Sequence, residues 1–194
     1  MNLIKPLTAL RSLRTRNRWY RSGVAATEFA LTLPIWIILM LGAADGTYCL
    51  LVNEKADRIA YSVTDIVTQY QVITLANLSD IIQAASQLMQ PFIFANNGIV
   101  IVTSVYKPPG QNPYICWQYS GGGSLVQSSR IGNTGGTPTL PNGLALNDND
   151  NVIISEVFYN FTPMFVREGL FSANQVYRVG IYKPRLSPLV NTPT

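Results

Sequence analysis

GVAATEFALTLPIWIILMLGAAD, residues 23–45, is the stretch on which the fold turns. Val24 to Ala44 is 21 residues long, and Glu28 is its only charged residue. At about 1.5 Å per residue, a helix of that length spans about 31 Å, close to the roughly 30 Å hydrocarbon core of a bilayer. Ile35 to Leu41 is apolar around the whole circumference, which a helix burying one face would not need. The stretch therefore predicts a membrane span. Pro34 lies inside it, removes one helical hydrogen bond and frees the carbonyl of Ala30, so a bend is expected there.

The flanks give the span a direction. Residues 1–23 carry Lys5, Arg11, Arg14, Arg16, Arg18 and Arg21 with no acid, whereas Asp45, Glu54 and Asp57 follow the span. This asymmetry predicts a cytoplasmic N-terminus and an extracytoplasmic bulk. The remaining 171 residues hold eight basic against ten acidic side chains, a net charge of −2 within the chain's overall +4. The basic run is a membrane-flanking cluster, and no nucleic-acid partner is expected. A secretory signal peptide is the competing reading, with Gly42-Ala43-Ala44 as a loose cleavage site. However, 21 residues is long for its apolar core, and Glu28 does not belong in one.

A carboxylate four residues into an apolar run is costly unless paired or functional. In the intact chain Arg21 is two helical turns away. A cut after Gly23 would instead give Val24 an α-ammonium at position i relative to Glu28 at i+4, on the same face and near the positive helix end. The same amine and acid could also pair between neighbouring helices.

Composition narrows the chemistry. Of the 194 residues, 47 % are hydrophobic and 12 % charged, against about 25 % charged in soluble domains. Histidine is absent, which excludes Ser-His-Asp and Cys-His catalysis and every His-ligated metal site. No enzyme activity, cofactor or metal is expected. Ser104 to Lys107 matches the string S-x-x-K, but at a strand end, where residues three apart face opposite ways. Asp148-Asn149-Asp150 carries cation-type oxygens without the glycine and distal glutamate of an EF-hand. An extracytoplasmic compartment permits a disulfide between Cys49 and Cys116, yet one cysteine adjoins the span and the other lies on a predicted strand, so two unpaired thiols is the other reading.

Beyond the span, Val52, Ala56, Ile59, Val63, Ile66, Val67 and Tyr70 keep a 3.6-residue spacing, so one helix is predicted from Val24 to about Tyr70. Gly42 and Gly46 form a small-xxx-small pair where two helices could approach closely. A second amphipathic helix, capped by Asn77 or Ser79, runs to Pro91. The period then changes to two. Ile99–Tyr106, Tyr114–Tyr119, Val152–Phe161 and Val176–Tyr182 are predicted strands of an antiparallel sheet. Residues 120–151 hold seven of the 14 glycines and are expected to be a surface excursion, or else a partner-contacting tip. The fold class is α+β, with leader 1–23, span 24–44 and an extracytoplasmic domain 45–194.

The basic leader, Gly23, the small residues, Glu28 and Phe29 ahead of an apolar helix together resemble the type IV pilin and pseudopilin signal. More narrowly, GVAATEFALTLP resembles the start of the TadE/TadF-like minor pseudopilins of tight-adherence (Tad, Flp-type) pili. The far end agrees: NVIISEVFYNFTPMF and VYRVGIYKPRL are similar to that family's closing strands, with Tyr159, Phe161, Pro163, Phe165, Lys183, Pro184 and Arg185 in the corresponding places. Phe29 stands where the family often has Tyr, and Lys183 where it often has Arg. The resemblance implies a pilin-like architecture and cleavage by a prepilin peptidase between Gly23 and Val24, with Glu28 and Phe29 serving subunit assembly. It also implies an inner-membrane structural protein of an adhesive pilus, whose partners are the peptidase, other pseudopilins, the major pilin and an inner-membrane platform. The alternative is an uncleaved single-pass anchor displaying an extracytoplasmic binding module.

Overall fold

A computed structural model describes residues 11–165 and 174–194, with side chains from residue 23 onward except that of Asn142. Residues 1–10 of the basic leader, and the side chain of Arg21, lie outside the described residues.

The periodicity in 52–70 and the apolar run before it merge into one helix, α1 (Arg11–Val67), which continues through Pro34. Over Gly23–Val67 it is long and apolar enough to cross a membrane, and its most apolar window is wholly unburied. Its second half builds the core: Val52, Ala56, Ile59, Ala60, Val63 and Val67 are all fully buried. The second helix, α2 (Leu75–Ser86), starts earlier than predicted. Thr74, not Asn77 or Ser79, is its N-cap: Thr74 Oγ1 accepts from Asn77 N (3.1 Å), while Asn77 Oδ1 accepts from Thr74 N (3.3 Å). This reciprocal pair satisfies two backbone donors at once, which a single cap at Asn77 could not do. A 3-10 turn (Gln87–Met89) and a single turn of helix, α3 (Phe94–Asn97), lead into the sheet.

All four predicted strands form, each extended by up to two residues at an end: β1 (Gly98–Tyr106), β2 (Tyr114–Gly121), β3 (Asn151–Phe161) and β4 (Asn174–Tyr182). They make an open antiparallel sheet in the order β2-β1-β3-β4. Val157 of β3 pairs with Val100 of β1 on one side and with Arg178 of β4 on the other. On one face, α1 and α2 pack against Val100, Val102, Trp117, Ile153, Val157 and Val176. Gly180 lets β4 pass directly under α1, since a Cβ there would stand 2.6 Å from the Ala60 carbonyl oxygen.

The other face is covered too. Residues 122–150 fold back over the sheet: Ile131 and Leu146 are buried with Val105, Ile115, Val152 and Ile154, while Leu125 packs on Ile99, Ile101 and Phe158. The loop expected as an excursion is therefore a second layer. Buried Glu156 of β3 anchors it, accepting hydrogen bonds from Ser129 Oγ, Arg130 N (2.9 Å) and Tyr177 OH (3.0 Å). The Arg130 guanidinium sits 4.1 Å over the Tyr177 ring. Burial, and then the negative charge of Glu156, push the Tyr177 phenol well above its usual range, so it remains a donor to Glu156.

The chain after β4 straps these layers together. Leu189 O accepts from Trp117 Nε1 (2.9 Å) and Ser104 Oγ (2.7 Å), and Leu189 N donates to Asn151 Oδ1 (2.8 Å).

Candidate functional site

Gly23, Val24, Glu28 and Phe29 all lie in the part of α1 that projects away from the domain, and all are exposed. The exposure is not that of a soluble surface: Phe29 is 62 % exposed and Met40 70 %. Phe29, Leu33, Trp36, Ile37 and Met40, at helical spacing, line an apolar groove along one side of the stalk. Thr27 and Thr32 fold their hydroxyls onto the helix backbone, donating to Val24 O (2.8 Å) and Glu28 O (3.1 Å), so they present methyl groups outward.

Glu28 stands apart from these. Its carboxylate makes no hydrogen bond or ion pair among the described residues. Val24 is one turn below it on the same side, about 6 Å along the axis. The helix thus presents a carboxyl group, set in an apolar surface, to whatever lies beside it.

The Gly42–Gly46 pair marks the junction of stalk and domain. Both residues are half-buried, and a Cβ built on Gly46 would meet nothing within 4 Å. No described element of this chain packs closely against Gly46.

Asp45, between these two glycines, is the residue that sequence reasoning missed. Taken from sequence it is simply the first acid beyond the span. In the fold it is 1 % exposed, and its Oδ1 accepts from Met164 N (2.9 Å) and Phe165 N (3.2 Å). The aromatic-x-aromatic-x-Pro-x-Phe pattern ending β3 is what delivers those donors: Tyr159 stacks on Phe94 (6.1 Å), Phe161 and Pro163 are buried, and the chain then turns onto α1. The basic-Pro-Arg pattern after β4 has the matching role at the opposite end. Lys183 Nζ pairs with Asp150 (2.8 Å), and Arg185 pairs with Asp65 of α1.

The two cysteines do not pair; both are free thiols. Cys49 sits on α1 one turn beyond Asp45, where Asn53 donates to its sulfur at 3.6 Å. Cys116 occupies a bulge in β2, the strand at the opposite edge from β4, next to Ser104 and Tyr114. Since α1 lies over β3 and β4, the fold keeps these thiols on separate elements. Burial pushes the Cys116 thiol above its usual pKa, which keeps it protonated and a poor nucleophile.

The remaining chemical strings are structural. Ser104 Oγ is buried beneath the C-terminal strap, whereas Lys107 Nζ pairs with Asp148 (3.0 Å), so the two share no site. Asp148 and Asp150 are already matched by Lys107 and Lys183, and no cluster of metal-ligating side chains occurs among the described residues.

Compared with protein-family models, with curated proteins and with solved structures, the chain matches none.

Proposed function

We propose that this chain is a membrane-anchored structural protein of a type IV-like, tight-adherence pilus: a minor pseudopilin, cut between Gly23 and Val24, that assembles through its N-terminal helix. The carrying observation is the isolation of Glu28. A carboxylate in an apolar helix surface, with no partner among the described residues, is held at high cost unless assembly supplies a counter-charge. Cleavage supplies one at Val24, either within the helix or from a neighbouring subunit.

The long helix, half stalk and half core, supports the reading on mechanical grounds. The half from Val52 upward is welded to the sheet, so lateral association of the stalks would carry the α+β domains rigidly with them. Phe29 and the groove running to Met40 offer the apolar surface for that association, and Gly42 with Gly46 the point of closest approach. The domain then faces the extracytoplasmic side, and its work is contact with other pilus components and not catalysis.

Expression in cells with and without a prepilin peptidase tests this. The membrane fraction should contain a form shortened by the leader only when the peptidase is present. Replacing Gly23 with a bulky residue should leave the longer form in both cells. A single, unshortened band in both cells would favour an uncleaved anchor displaying a binding module.

A further inference from the structure

We propose that the end of the domain nearest the stalk is a lipid-contacting foot, in which Ile93, Met164 and Phe165 enter the interfacial layer of the bilayer that holds residues 24–44. The inference rests on the membrane-anchor part of the proposed function.

Height along α1 is the first argument. Asp45 is the first residue past the apolar run, and its bonds to the Met164 and Phe165 amides fix the end of β3 at the level where the helix would leave the hydrocarbon. One turn further, the Tyr48 ring meets the Phe92 ring edge-on at 6.1 Å, which brings Ile93 to nearly the same level. Two separate segments of chain are thus held beside the exit point of the helix.

Exposure is the second. Ile93 is 64 % exposed, Met164 65 % and Phe165 48 %, although Phe94 beside the first and Pro163 beside the second are buried. With Tyr48 and Phe92, Ile93 and Met164 line part of a cleft of about 260 Å³. Large apolar side chains gathered at one end of a domain mark a contact surface. Continuity with the apolar stalk selects lipid as the occupant, since side chains at the end of a span lie within the interfacial layer.

Polarity along the molecule is the third. The opposite end of the domain carries Lys107, Asp148, Asp150, Lys183 and Arg185, joined in exposed ion pairs. Among the described residues, the domain is therefore charged where it faces away from the stalk and carries large apolar side chains where it meets it.

The test uses the full chain in vesicles of phosphatidylethanolamine and phosphatidylglycerol. Cys49 and Cys116 are replaced by serine, and a polarity-sensitive dye is placed through Ile93→Cys or Met164→Cys, with Met40→Cys in the stalk and Gln111→Cys at the far end as references. At positions 93 and 164, quenching by a nitroxide near the lipid headgroup should exceed that at 111 roughly threefold or more, with iodide protection to match. Equal iodide quenching at 93, 164 and 111, with position 40 reporting lipid, overturns the foot and leaves the anchor standing. Water exposure at position 40 overturns both. Protection of 93 and 164 from iodide and nitroxide alike means that another protein, or a second copy, covers the surface, and also overturns the proposal. Where the cysteine-free background fails to fold, Ile93→Trp against Gln111→Trp, each read as its difference from the unsubstituted chain with bromine-labelled lipid, gives the same discrimination.

Discussion

Two acids, Glu28 and Asp45, show one functional group, the carboxyl, in opposite environments on one helix. Asp45 is buried, and its carboxyl accepts hydrogen bonds from the backbone amides of Met164 and Phe165. Asp45→Ala should therefore lower stability by about 2–4 kcal/mol, because it orphans those amides, and thermal unfolding in detergent would register the loss. Glu28 is exposed on the stalk with no partner among the described residues, so Glu28→Gln should leave the domain's unfolding temperature unchanged. Under the proposed function it should still be cut after Gly23, yet co-assemble about tenfold less well, equivalent to about 1.4 kcal/mol per helix contact. Crosslinking yield in membranes measures that. The isolation of Glu28 was legible from spacing and hydropathy alone, as both are local. The burial of Asp45 was not, because the Met164 and Phe165 amides it accepts from lie 119 and 120 residues away and, being backbone groups, carry no side-chain signature.

At the scale of elements, the sequence was most readable where one period persists. The four strands were found because Val, Ile, Tyr and Phe recur in short runs bounded by proline and glycine, and α1 because its 3.6-residue stripe follows directly from the apolar run. The cover formed by residues 122–150 was hidden, since Leu125, Ile131, Leu140 and Leu146 are spaced irregularly among polar residues and no period announces their burial. A clue did exist in β3: its run from Asn151 to Tyr159 is buried without interruption, which requires both faces of the sheet to be covered. Gly180 tests the packing of β4 on α1. A Cβ there would lie 2.6 Å from Ala60 O and 2.8 Å from its carbon, both backbone atoms that cannot swing aside. Gly180→Ala should thus destabilise the domain by about 1–3 kcal/mol, measurable as a lowered denaturation midpoint with the slope preserved.

The whole molecule is graded along α1, from an apolar stalk through a tightly packed domain to a charged far end. Hydrogen bonds from the Gly110 amide and Lys107 hold the Asp148 carboxyl below its usual pKa, and Lys183 with the Asn147 amide does the same for Asp150. Folding keeps both groups ionised, so acidification loads protons onto the unfolded chain first. Their contribution should be complete above about pH 4 and drain away as pH falls through the lowered folded values. Unfolding temperatures of the unsubstituted chain and Asp150→Asn should accordingly differ at neutral pH and converge in strong acid. This far end is held by Lys183 and Arg185, and the near end by the turn through Pro163 to Phe165, so the two patterns that resemble pseudopilin closing strands sit at opposite ends of the domain, where Arg185 meets Asp65 and Phe165 meets Asp45 of the same helix.

Under the proposed function the mature polypeptide starts at Val24. Protein extracted from the membranes of peptidase-bearing cells should give an intact mass and N-terminal sequence beginning Val24-Ala25-Ala26-Thr27-Glu28, freeing an ammonium one turn from the isolated carboxylate. Recovery of a chain that retains its arginine-rich leader, or one that starts near Asp45, would contradict it.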